Sequence, residues 1–118
     1  VHHKVMSEGI SNVKAVLADP TDPTVDATAD LVFICDVLHH VQGREAWLRR
    51  LSSEMKAGAK LVVIEFKEGK LPEGPPEAAK IPKAKLTAML RDAGFVLRSE
   101  DSKLLPYQIL LKLEKPTQ

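Results

Sequence analysis

The sequence predicts an α/β fold in which helices cover a mostly parallel sheet that ends in an antiparallel pair of strands. Three observations predict it. LVFIC (residues 31–35) and LVVIEF (61–66) are continuous apolar runs of strand length, which suits strands buried on both faces of a parallel sheet. Between them Trp47, Leu48, Leu51 and Met55 recur at helical spacing, with Arg44, Glu45, Arg49, Arg50 and Glu54 on the other side. Beyond the second run, one more helical segment and two strand-like runs close the chain.

Taken in order, residues 1–9 read as the end of a helix that stops at Gly9, and NVKAVLA (12–18) as a short strand ending at Asp19. The turn-rich stretch DPTDPTVDATAD (19–30) leads into LVFIC, the strongest strand pattern in the chain. The helix expected over 44–56 has Gly58 placed to end it in a left-handed cap. In LVVIEF the apolar run is broken near its carboxyl end by Glu65. KEGKLPEGPPEAAK (67–80) is a Pro/Gly-rich loop, long enough to expect a function of it. Pro82 suits the first position of the next helix, which Leu86, Met89, Leu90 and Ala93 line on one face and Gly94 closes. Residues 95–99 and 107–113 read as the last strands, and the short connection DSKLLP makes them antiparallel.

Bulk properties narrow the function. A chain of 118 residues makes one small domain, and 44% hydrophobic with 28% charged residues is an ordinary globular balance. The net charge of +1, with basic and acidic residues interspersed and few aromatics, gives no footprint for nucleic acid. The lone cysteine, Cys35, lies inside the most apolar run, as a buried structural thiol does, and fits a reducing cytoplasm. No run approaches the ~20 apolar residues of a membrane span, and the start VHHKVMSEGI has no signal-peptide pattern, so a cytoplasmic protein off the membrane is expected. His2 and His3 have no further His or Cys at ligand spacing, so no metal site is expected.

In an open α/β sheet, ligands bind beyond the carboxyl ends of the strands, which directs attention to Asp19, to residues 35–40 and to Glu65. The Asp36, His39, His40 cluster admits three readings: a catalytic group, a phosphorylated aspartate, or the polar lip of a site whose chemistry lies elsewhere. A phospho-receiver domain has about this length and carries its aspartate after such a strand. It also needs an acidic pair for magnesium, a lysine after the last strand and a closing helix, and the pattern here offers neither the pair nor the helix.

The succession VLADPTDP, ADLVFICDVLHHV, LRRLSSEMKAGAKLVVIEF and LRDAGFVLRS resembles the later part of a class I S-adenosylmethionine-dependent methyltransferase, most closely the UbiE-like small-molecule group. The resemblance lies in order and spacing from about residue 5 to 115. It implies a Rossmann-like methyltransferase fold truncated at the N-terminus, with residues 1–118 as one partial domain from the third strand to the C-terminal end. By the same resemblance Asp19 accepts a hydrogen bond from the cofactor's adenine with Pro20 beside the ring, although an aspartate before proline is also an ordinary turn cap. Cys35 and Asp36 match positions where the backbone approaches the methionine part of S-adenosylmethionine, whose product is S-adenosylhomocysteine. His39 and His40 match an LHH that opens the following helix, a pocket-lip feature more than a general base, and Glu65 is expected to point into an acceptor pocket shaped by residues 67–80. In-line displacement at a sulfonium draws on positioning in a dry pocket, so no catalytic residue is required of the chain.

The resembled family also has a first strand with a GxGxG turn and an acid after its second strand; the six glycines here, at 9, 43, 58, 69, 74 and 94, form no such turn. In the family's strand order, 3-2-1-4-5-7-6, the strands without a counterpart fall between NVKAVLA and LVFIC. NVKAVLA is then expected to move inward against LVFIC, to pair with another chain, or to leave an edge that a homo-oligomer covers. Two functions follow: methyl transfer to a small-molecule acceptor as part of a longer enzyme, or a non-catalytic methyltransferase-like scaffold or dimerisation module.

Overall fold

The computed structural model describes residues 11–117. The helix expected over 1–9, with His2 and His3, lies outside the described residues. Strands β1 (Leu31–Cys35), β2 (Lys60–Phe66), β3 (Val96–Asp101) and β4 (Gln108–Glu114) form one sheet in the order β1-β2-β4-β3. That is the order of the last four strands in 3-2-1-4-5-7-6. Helix α1 (Arg44–Glu54) connects β1 to β2, and α2 (Lys83–Asp92) connects β2 to β3.

The sheet is not mostly parallel, contrary to the expectation. β1 pairs with β2 in parallel, whereas β4 runs antiparallel to both β2 and β3. The reason is the chain reversal between β3 and β4, which puts β4 between β2 and β3 and turns two of the three pairings antiparallel. An extra residue at Arg98, between Leu97 and Ser99, bulges β3 against β4.

NVKAVLA forms no strand. Residues 13–19 carry no regular structure and are mostly exposed, with Leu17 fully so; among the described residues no strand lies beside them to bond to. Three Asp-x-Thr turns follow: Asp19 accepts from Thr21, Asp22 from Thr24 and Asp26 from Thr28. This segment is tied to the outer side of α1, where Val25 N–H donates to Glu54 and Arg50 pairs with Asp22.

The core lies between the sheet and the two helices. Leu48 and Leu51 of α1, Leu86 and Leu90 of α2, Leu61 and Val63 of β2 and Leu111 of β4 are fully buried there. α1 ends earlier than expected: Met55 leaves the helix in an extended conformation, and Lys115 Nζ donates to the carbonyls of Ser52 and Met55 in place of a glycine cap. Gly58 does take a positive φ of 82°, but in the turn that feeds β2. Pro82 caps α2 instead of opening it, and Glu68 accepts from the Lys83 N–H at 2.7 Å. Gly94 ends α2 as expected. With a φ of 103° it donates to Arg91 O while Phe95 N–H reaches Leu90 O, the paired bonds of a Schellman motif.

Candidate functional site at the carboxyl end of the sheet

The apolar pattern of LVFIC ends at Asp36, and the chain turns there. Asp36 N–H adds one last bond to Ile64 O at 2.9 Å, and the residue then takes a φ of 57°, a left-handed conformation uncommon for a non-glycine residue. The turn redirects the chain into a short 3-10 segment, Leu38–His40, anchored by the fully buried Leu38. Arg44, at the start of α1, clamps that segment: its Nε donates to Leu38 O and its Nη2 to His39 O, each at 3.1 Å.

Under the 3-10 segment lies Glu65. β2 alternates, so Leu61, Val63 and Glu65 all face the core, and the Glu65 side chain is only 2% exposed. A carboxylate at that depth needs partners. His39 provides two, its backbone N–H to Oε1 at 3.0 Å and its ring Nδ1 to Oε2 at 2.9 Å. Glu65 therefore does not point into an acceptor pocket as expected; it sits beneath His39 and holds it. Because a carboxylate accepts, His39 carries its proton on Nδ1 in the neutral ring, which leaves the Nε2 lone pair without a protein partner among the described residues. The ring is itself 4% exposed, and His40 stacks against it at a centroid distance of 4.1 Å while staying exposed.

Asp36 is the second carboxylate of the site. Gln108, at the start of β4, donates to its Oδ2 at 2.7 Å, whereas Oδ1 is buried with no partner among the described residues. An orphaned buried acceptor at the end of a strand fits a ligand that brings a donor. Burial pushes the Cys35 thiol above its ordinary pKa, and the Asp36 carboxylate beside it acts in the same direction, so Cys35 stays a neutral thiol.

Residues 67–80 adjoin the site. Lys80, its side chain 4% exposed, donates to Gly69 O and pairs with Glu77, and Glu77 accepts from Gly69 N–H in return. This clasp closes the loop around an open cavity of about 460 Å³ lined by Leu71, Gly74, Pro75 and Pro76 among others. A second, polar cavity of about 560 Å³ opens at His39, His40, Arg44 and Lys85.

The structure thus gathers Cys35, Asp36, His39, His40 and Glu65 at one edge. Asp19 and Pro20 lie on an exposed turn. The Asp19 carboxylate is occupied by the Thr21 hydroxyl at 2.7 Å and the Thr21 N–H at 2.9 Å; these bonds, and more weakly Arg50, hold its pKa below the ordinary carboxylate value. Arg44, Phe66 and Gln108 were not singled out from the sequence: Arg44 reads as the solvent side of a helix, and Gln108 is 72 residues from its partner. Among the described residues no three side chains are placed to hold a metal ion, and no helix is long and apolar enough to cross a membrane.

No family model and no curated protein matches the chain. Solved structures do. A SAM-dependent methyltransferase from Aquifex aeolicus aligns with a TM-score of 0.85 at 23% identity, over 96% of this chain and 60% of that one. The O-methyltransferase NcsB1 from neocarzinostatin biosynthesis, solved with S-adenosyl-L-homocysteine and 1,4-dihydroxy-2-naphthoic acid, aligns at 0.77 and 22% identity over 96% of this chain and 37% of that one. The 4+2 cyclase SpnF aligns at 0.77 and 15% identity, over 99% and 62%. The described residues therefore fold like the corresponding part of Rossmann-like, class I S-adenosylmethionine-dependent methyltransferases. The chain spans 60% of the length of the Aquifex aeolicus protein.

Proposed function

We propose that this chain is the acceptor-side part of an S-adenosylmethionine-dependent methyltransferase, and that the methyl acceptor is a hydroxyl group of a small molecule. The observation that carries the reading is the His39–Glu65 pair, in which a buried carboxylate holds Nδ1 and leaves Nε2 available to a proton. Methylation of a hydroxyl needs such a base, because the oxygen loses its proton as it forms the new bond to carbon. His39 Nε2 receives that proton, Glu65 holds the resulting imidazolium in place, and Arg44 keeps the 3-10 segment from shifting. Cys35 and Asp36 are where the methionine part of the cofactor would lie, with the orphaned Asp36 Oδ1 accepting from it. When bound, S-adenosylmethionine supplies an activated methyl group on a sulfonium. Asp19 and Pro20 remain the proposed contacts to adenine, which requires the Thr21 bonds to be exchanged for a ligand bond.

A second reading is a non-catalytic scaffold or dimerisation module. It is favoured by β1, whose outer edge pairs with no strand among the described residues and whose Leu31 and Phe33 are 56% and 60% exposed, a surface that a second copy would cover. The likeness to a cyclase also illustrates that one fold hosts several activities. Isothermal titration with S-adenosylhomocysteine separates the two. Micromolar binding that Asp36→Ala weakens at least tenfold supports the methyltransferase reading; no heat at millimolar ligand, together with a dimer in sedimentation, supports the scaffold.

A further inference from the structure

The loop at residues 67–80 and His39 meet on one side chain. Phe66, the last residue of β2, presents its ring to the His39 ring at a centroid distance of 5.9 Å and an interplanar angle of 75°, an edge-to-face contact. On the loop, Gly74 lies against that same ring so closely that an added Cβ would stand 2.8 Å from Cδ1 and Cε1. Gly74 also has a φ of 107°, so both its conformation and its contact exclude a side chain. The loop is closed by Lys80, Glu77 and Gly69 and anchored at its first two residues: Lys67 N–H bonds to Tyr107 O, and Glu68 caps α2.

We infer that Phe66 is a positioning residue that couples the loop to the His39 imidazole, with Gly74 as the loop's bearing point on it. The inference rests on the proposed role of His39 but concerns how the ring is oriented. Glu65 fixes one ring nitrogen and leaves rotation and tilt about that bond; the neighbouring Phe66 and His40 rings limit the tilt. Displacing the loop frees the Phe66 ring and, with it, the direction of the Nε2 lone pair. An acceptor that orders residues 67–80 would in the same step aim the base.

Gly69 provides an internal control. It belongs to the same loop and has a similar φ of 94°, but a Cβ there meets nothing within 4 Å. Gly74→Ala and Gly69→Ala therefore carry comparable backbone strain, and only the first presses on Phe66. The test is the imidazole nitrogen spectrum of His39 in the whole chain, recorded for the wild type, both alanine variants and Phe66→Leu. Gly74→Ala and Phe66→Leu should move the His39 ring signals, because each alters the aromatic ring that His39 meets. Gly69→Ala should leave them in place. Identical His39 spectra for the two glycine variants would overturn the inference, and so would an unchanged His39 in Phe66→Leu, which decides the matter if Gly74→Ala does not fold. None of these readings needs cofactor or methyl transfer, so a failure of the proposed function would not be mistaken for a failure of the coupling.

Discussion

The two faces of the sheet are built from the same strands and have opposite surroundings. On one face Leu61, Val63 and Leu111 lie at 0% exposure beneath α1 and α2. On the other, Leu31 and Phe33 of β1 and Val96 of β3 stand 37% to 60% exposed, and Lys60 and Arg98 reach Glu114 across the surface. In the register Phe33 stands beside Val62 and Cys35 beside Ile64, so an apolar floor continues over the open face. The difference teaches that apolar content alone does not say how many faces are covered. Only the helices within this chain do, and both of them pack on the same side.

The comparison predicts its own breaking points. Leu111→Ala, on the covered face, should cost about 2–5 kcal/mol, because it removes a filled volume between sheet and helices; chemical denaturation measures it. Glu65→Gln keeps the shape but replaces one accepting oxygen with an amide N–H₂, so one of the two His39 donors loses its acceptor unless the ring moves its proton from Nδ1 to Nε2; it should cost about 1–3 kcal/mol in the same measurement. A Glu65→Gln variant as stable as the wild type, with the His39 proton still on Nδ1, would mean that the buried pair is not formed. Gln108→Ala, at the open face, removes one hydrogen bond to Asp36 and should cost about 0.5–1.5 kcal/mol. Phe33→Ser should change stability by less than about 0.5 kcal/mol, since that ring is 60% exposed, while reducing any self-association of the chain. A large loss at Phe33 would show that the open face is covered in solution. The smallest effect concerns Cys35. Its thiol pKa is raised, so less thiolate is present near pH 8 than on a free cysteine, and alkylation should be slower, with its rise displaced to higher pH.

Much of this was legible in the sequence where a residue's role is local. The continuous runs LVFIC and LVVIEF, the helical spacing around Leu48 and Leu51, and Gly94 after α2 all specify their structure within a few residues. Glu65 was visible too, as a charge inside an apolar strand, though its direction was not: strand alternation places it on the core face, where it needed a donor that only the folded chain supplies. NVKAVLA misled because strand propensity does not create a strand without a neighbour to accept its hydrogen bonds. The parallel expectation failed although the strand order was as expected, because among the four strands present β4 lies between β2 and β3 and makes two of the three pairings antiparallel. Gln108 bonding to Asp36 and Gly74 bearing on Phe66 are contacts between distant or structurally irregular positions, for which a linear pattern carries no sign.

The most direct test of the account is an amide spectrum of the labelled chain titrated with S-adenosylhomocysteine. Saturable shifts are expected at residues 19–22, 34–40 and 64–68, with the amides of β3 unmoved. Shifts spread over the open face around Phe33 and Val62 with residues 35–40 silent, or no shifts at millimolar ligand, would contradict a cofactor site at the carboxyl end of β1.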